Sequence, residues 1–220
     1  MLGLVAAGAA AFTGMLAVDQ RNATSAGAPT VRPVRSPRSG SASAGPRGGE
    51  TLVVFFSRAG ENYPDLDLEI GNTAQIAGFI HDRVGGDLYE IVPAEPYPAS
   101  KDETSTQAQR EQDERVYPEI RGEVPDTDRY GTVFLGAPNW WLEQPMVVQT
   151  FMRDRDLGNA TVIPFVTHDG SGFGNALDVL ARYYPDAEVL QGFAERGVNV
   201  FNDPDKARTD VDAWLQGLGF

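Results

Sequence analysis

The chain has 220 residues, 41% hydrophobic and 10% aromatic, with no cysteine and a formal charge of −13. That length is one ordinary domain, or one domain with a tail. The missing cysteine excludes disulfide scaffolds, thiolate metal sites and cysteine nucleophiles, and the acidity argues against a nucleic-acid partner.

The charge is uneven: residues 1–50 hold five arginines against Asp19 and Glu50, so the rest of the chain carries −16. Met1–Val18 is uncharged and apolar. It is shorter than the ~20 residues of a spanning helix and closer to the ~7–15 of a signal-peptide core. It reads as an export signal or an anchor, which implies membrane association or a place outside the cytoplasm; a cytoplasmic protein with a mistranslated leader is the alternative. Asp19–Gly49 is rich in Ser, Ala, Gly, Pro and Arg without apolar periodicity, the composition of a disordered linker. The domain proper is expected over residues 50–220.

Thr51–Phe56 is a continuous apolar run, as for a strand covered on both faces. Asn72–Val84 follows as a helix with Ile76, Ala77, Ile80 and Val84 on one stripe, ended by Gly85-Gly86. Asp87–Val92 reads as the second strand. Ser100–Arg115 is charged and almost without apolar residues, either an exposed helix or an excursion. Thr132–Gly136 is the third strand and Pro145–Arg153 the next helix. Thr161–Thr167 is the fourth strand, and Phe173–Tyr184 a helix with Leu177, Leu180, Ala181 and Tyr184 inward. Glu188–Phe193 is a weaker fifth strand. Asp203–Leu218 closes the chain as a helix, with Val211, Trp214, Leu215 and Leu218 on one face and Pro204 in its first turn. Strands alternating with helices imply βαβ units and a parallel sheet covered on both sides, with strand order 2-1-3-4-5. Ligands of such sheets bind beyond the carboxyl ends of the strands, so the chemistry belongs in the loops after strands one, three and four.

The first of these loops runs Ser57-Arg58-Ala59-Gly60-Glu61-Asn62-Tyr63, then a short insertion, then Gly71-Asn72-Thr73 at the helix start. Hydroxyls, an amide and free backbone N–H groups at a helix N-terminus suit a phosphate, although Asn72 as a plain helix cap explains the same residues. Neither a nucleoside-triphosphate loop nor a G-x-G-x-x-G fingerprint is present. The second loop, Pro138-Asn139-Trp140-Trp141-Leu142-Glu143, places two tryptophans side by side. A planar ligand would supply an environment for one of them by stacking; packing on the next helix and on a sheet edge is the alternative. The third loop, Thr167-His168-Asp169-Gly170-Ser171-Gly172-Phe173-Gly174, has glycines that allow close backbone approach to a ring edge. His168 and Asp169 are not expected to act as an acid–base pair, and two histidines in the whole chain argue against a multi-histidine metal site.

FFSRAGENY…GNT, FLGAPNWW…P and PFVTHDGSGFG together resemble the flavodoxin family, in the branch whose first loop is split between S-R-x-G and G-N-T. The resemblance covers nearly all of Thr51–Phe220 and implies a flavodoxin-like three-layer α/β sandwich with bound FMN. It implies that Ser57, Arg58, Ala59, Asn72 and Thr73 hold the phosphate. Pro138, Asn139, Trp140 and Trp141 would line the isoalloxazine, and Thr167, His168, Asp169, Gly170 and Ser171 would face its pyrimidine edge. No metal ligand and no catalytic side chain are implied. Two departures stand out: Leu142 follows the double tryptophan where the family commonly has glycine, and the second flanking aromatic is missing, which leaves one ring face open. The resemblance implies electron transfer to a redox protein or small acceptor, or a small reductase of the NAD(P)H:quinone or flavin type. A flavodoxin-fold binding or scaffold module without cofactor is the rival reading. The surface acidity, through Glu143 or Asp169 near the ring, is expected to lower the reduction potential.

Overall fold

A computed structural model describes residues 49–220, so Met1–Val18 and nearly all of the expected linker lie outside the described residues. Eight strands and six helices are found there: β1 (Glu50–Phe55), β2 (Gly60–Asn62), β3 (Leu66–Leu68), α1 (Asn72–Val84), β4 (Asp87–Glu90), α2 (Lys101–Glu114), β5 (Tyr130–Pro138), α3 (Met146–Asp154), β6 (Thr161–His168), α4 (Ala176–Tyr183), β7 (Glu188–Val189), β8 (Phe193–Arg196), α5 (Gly197–Asn202) and α6 (Pro204–Leu218). The main sheet is parallel in the order β4-β1-β5-β6-β7, with β8 also on β6. This is the expected 2-1-3-4-5 arrangement.

Strand period two divides the apolar run of β1 between two cores. Leu52, Val54 and Phe56 face one side, with Val147, Val148 and Phe151 of α3 and Val179 and Leu180 of α4. Val53 and Phe55 face the other, with Ile76, Ala77 and Ile80 of α1 and Val211 and Leu215 of α6. Phe134, Phe151 and Phe165 are wholly enclosed, and each such side chain contributes about 1.5–3 kcal/mol. This two-sided burial holds the strand ends, and hence the loops, in fixed register.

Four features differ from the sequence reading. The insertion in the first loop is the β2–β3 hairpin. The fifth strand is split into β7 and β8, and Pro164 explains the break. Val162 offers its carbonyl to Leu190, so Pro164, two residues on, presents to the same edge a nitrogen with no hydrogen. Helix α4 starts at Ala176, after Gly172 and Gly174 at φ +58° and +52°. Its buried face is Ala176, Val179 and Leu180, while Leu177 is 44% exposed and Ala181 also faces solvent. Helix α5 was not expected at all. Among the described residues no helix is long and apolar enough to cross a membrane.

Candidate functional site

The carboxyl ends of β1, β5 and β6 open onto one cavity of about 480 Å³. At the first loop, Ser57 Oγ accepts from the Ala74 N–H at 3.0 Å and ties the loop to the first turn of α1. Gly71 precedes that turn; a Cβ there would lie 2.2 Å from Ser57 Oγ and 2.6 Å from the Arg58 carbonyl, so only glycine permits this closeness. Gly71, not Asn72, occupies the N-cap position and has no side chain to cap α1, so the side-chain bond to its first turn comes from Ser57. Asn72 is the first helical residue and is buried against the cavity, with an Oδ1 that has no hydrogen-bond partner. The plain-cap explanation of Asn72 is thereby removed. Thr73 faces inward instead: its Oγ1 meets Thr167 Oγ1 at 2.6 Å, joining the first loop to the end of β6.

At the second loop, the Asn139 N–H donates to the Thr167 carbonyl at 2.8 Å, and Asn139 Nδ2 donates to the Gly172 carbonyl at 2.9 Å. That second bond orients the amide, and its buried Oδ1 is left without a partner. Trp140 stands edge-on to Phe56 and Tyr97, with centroids 5.4 and 5.0 Å away. Trp141 is 48% exposed, and its Nε1 donates to the Ser105 carbonyl of α2 at 2.9 Å. Trp140 and Glu143 exchange backbone bonds of 2.9 and 3.1 Å across a tight turn whose two central residues, Trp141 and Leu142, have φ of +50° and +69°. Gly174 packs against that turn, where a Cβ would sit 2.6 Å from the Leu142 carbonyl.

At the third loop, His168 Nδ1 accepts from the Gly170 N–H at 2.8 Å, which leaves the proton of the neutral ring on Nε2. Burial lowers the pKa of this imidazole; Glu195 and Asp169 oppose the shift, and Arg196 adds to it. Asp169 pairs with Arg196 of β8 at 3.5 Å.

The cavity therefore brings together Arg58, Asn72, Pro138, Asn139, Trp140, Trp141, Thr167, His168, Asp169 and Ser171. Ser57, Ala59, Thr73 and Gly170 do not line it; Ser57, Thr73 and Gly170 brace the loops through the bonds given above, and Ala59 is exposed. Glu143 does not line it either. It is buried under the turn, where it accepts from Gln149 Nε2 at 3.2 Å and faces Arg182 at 3.6 Å. Glu61, Asn62, Tyr63, Leu142 and Gly197 also line the cavity, and Lys101, Thr104, Ser105 and Ala108 of α2 form a wall that sequence reasoning missed. A signal was present: Ser100 followed by Glu103 is a capping-box pattern, and the Glu103 N–H reaches Ser100 Oγ at 3.5 Å.

A family model described as flavodoxin matches residues 68–217, a range that begins inside β3 and leaves out Ser57, Arg58 and β2. A candidate flavoprotein from Bacteroides uniformis is 29% identical, with a TM-score of 0.61, covering 77% of this chain and 99% of its own. Another, from Bacteroides eggerthii, is 28% identical with a TM-score of 0.60, covering 79% and 99%. A Lactobacillus acidophilus flavoprotein in complex with FMN is 19% identical at a TM-score of 0.53, covering 71% and 98%, a likeness of fold alone. No curated protein matches the chain.

Proposed function

The chain belongs to the flavodoxin family, and from that premise we propose that it binds FMN and works in electron transfer or as a small flavin-dependent reductase. The observation that carries the reading is a pair of asparagines, Asn72 at the start of α1 and Asn139 in the second loop, which line the cavity and each hold a buried amide oxygen without a donor. A buried acceptor left unpaired costs about 1–3 kcal/mol. The hydroxyls of a ribityl chain and a ring N–H are donors of the kind these two atoms lack, so the residues present fit the group.

In this reading the phosphate lies at the first turn of α1, among Asn72 and the N–H groups that Ser57 and Thr73 hold in place. Asn139, Trp140 and Trp141 take the ring, with Thr167 to Ser171 along its pyrimidine edge. Bound FMN would supply the redox chemistry. The chain's part is to orient: Asn139 offers an acceptor fixed by its bond to Gly172, and neutral His168 offers its Nε2–H. Asp169 and Glu61 are the acids that line the cavity, and the pairing of Asp169 with Arg196 moderates its effect on potential; Glu143 lies outside the cavity. Export or anchoring rests only on the composition of Met1–Val18.

Titrating the apo protein with FMN and following flavin fluorescence tests this. About one FMN per chain is expected at micromolar affinity or better (~8 kcal/mol), with roughly tenfold weaker binding in Asn139→Ala. Protein that stays colourless and leaves micromolar FMN fluorescence unquenched overturns the reading and favours a cofactor-free binding module. Anaerobic reduction of the loaded protein by NAD(P)H favours the reductase; reduction by dithionite alone favours the carrier.

A further inference from the structure

Arg58 stands where a phosphate-facing cation was expected, yet its guanidinium is engaged elsewhere. Nη1 donates to the Glu61 carbonyl, and Nη2 donates to the carbonyls of Pro98, at 2.6 Å, and Ala99. These acceptors belong to two excursions far apart in sequence: the β2–β3 hairpin, which holds Glu61, and the stretch before α2. Further bonds join the same two pieces. The Lys101 N–H donates to Glu61 Oε2 at 3.2 Å, Lys101 Nζ donates to the Pro64 carbonyl at 2.8 Å and pairs with Asp65, and Tyr63 Oη donates to Asp102 at 2.9 Å. Through its Ser105 carbonyl, α2 then receives the Trp141 indole.

Only arginine presents several N–H donors in one rigid fork, and charge-assisted bonds to carbonyls are stronger than neutral ones. A phosphate drawn to Arg58 would have to displace these bonds and loosen the wall that encloses the cavity. Partial burial of the guanidinium, which lowers its pKa against the opposing effect of Glu61, agrees with an internal tie.

We propose that Arg58 is a positioning residue, a latch that binds the β2–β3 hairpin to the start of α2 as one cap over the cavity, and that the phosphate is held without it. The ligand part of this inference rests on the FMN reading; the latch does not. The experiment compares wild type, Arg58→Gln and Arg58→Lys, measuring affinity for FMN and for riboflavin, which lacks the phosphate, and backbone amide exchange of the apo proteins over residues 59–70 and 95–105. For a latch, both ligands weaken by the same factor within about threefold. Both segments also exchange at least tenfold faster together, and lysine fails as glutamine does because a point charge cannot span three carbonyls. A loss of ten-fold or more in FMN affinity relative to riboflavin overturns the proposal, as does unchanged exchange in either segment or rescue by lysine. If wild type binds neither flavin, the FMN reading falls while the exchange data still judge the latch.

Discussion

The turn at Trp141-Leu142 makes a sharp test of the local energetics. Leu142 sits at φ +69° and is 50% exposed. A left-handed conformation costs a residue with a Cβ about 1–2 kcal/mol. Replacing Leu142 directly by glycine would mix relief of that cost with loss of a half-buried side chain, so the informative comparison is between Leu142→Ala and Leu142→Gly. Both variants lose the same packing, and they differ in one methyl group. Glycine escapes the left-handed cost but brings about 0.5–1 kcal/mol more unfolded-chain entropy. The balance makes the glycine variant more stable than the alanine variant by about 0.5–1 kcal/mol, the reverse of their order in a helix or strand. Urea unfolding of the apo protein reads this: with a slope of about 1–3 kcal/mol per molar, the midpoints separate by roughly 0.2–1 M, glycine higher. An alanine variant as stable as the glycine one, at equal slopes, refutes the argument that this turn holds conformational cost at Leu142.

Two further outcomes follow from the bracing residues. Thr73→Val strands the buried Thr167 hydroxyl and is expected to destabilise the apo domain by about 1–3 kcal/mol; the double variant with Thr167→Val is expected to recover part of that loss, and a double variant that loses the sum of the singles counts against the pair. His168 has a folded-state pKa below its ordinary value of 6.5, so its contribution to stability is fully present above about pH 6.5 and is lost as pH falls through the lower folded value. Urea midpoints measured from pH 8 to pH 5 are therefore expected to fall less steeply in His168→Gln than in wild type, and superimposable slopes would remove the argument.

Much of this was legible in sequence because parallel strands buried on both faces announce themselves as short apolar runs. Thr51–Phe56, Thr132–Gly136 and Thr161–Thr167 all do, and their spacing by helical patterns yields the strand order before any coordinates. The loops at their carboxyl ends then follow from topology alone. What periodicity could not supply was phase and partnership. On α4, Leu180 and Tyr184 are buried as the stripe predicts, but Leu177 and Ala181 face solvent and Ala176 and Val179 take their places against the sheet. The fifth strand was read whole because the donor missing from its neighbour, Pro164, lies in a different segment.

The site residues divide along the same line. Asn139 and the two tryptophans drew attention because each is an unusual residue for a loop with no ligand, and Asn72 because it stands at a helix start. For Arg58 the sequence shows only the helix start beside it. A cation beside a helix start suggests an anion, but its acceptors, the Pro98 and Ala99 carbonyls, lie about forty residues further on, and backbone carbonyls carry no sequence signature. The wall formed by α2 was missed on composition, since its buried face is made of Thr104, Ala108 and Glu111. Glu111 is accommodated there because Tyr97 Oη and Gln107 Nε2 both donate to it at 2.8 Å, and Tyr97 in turn packs edge-on against Trp140. A polar helix could thus become one side of the cavity only by pairing its charge internally. The sequence alternation that reveals an apolar core has no counterpart for a wall built from satisfied polar groups.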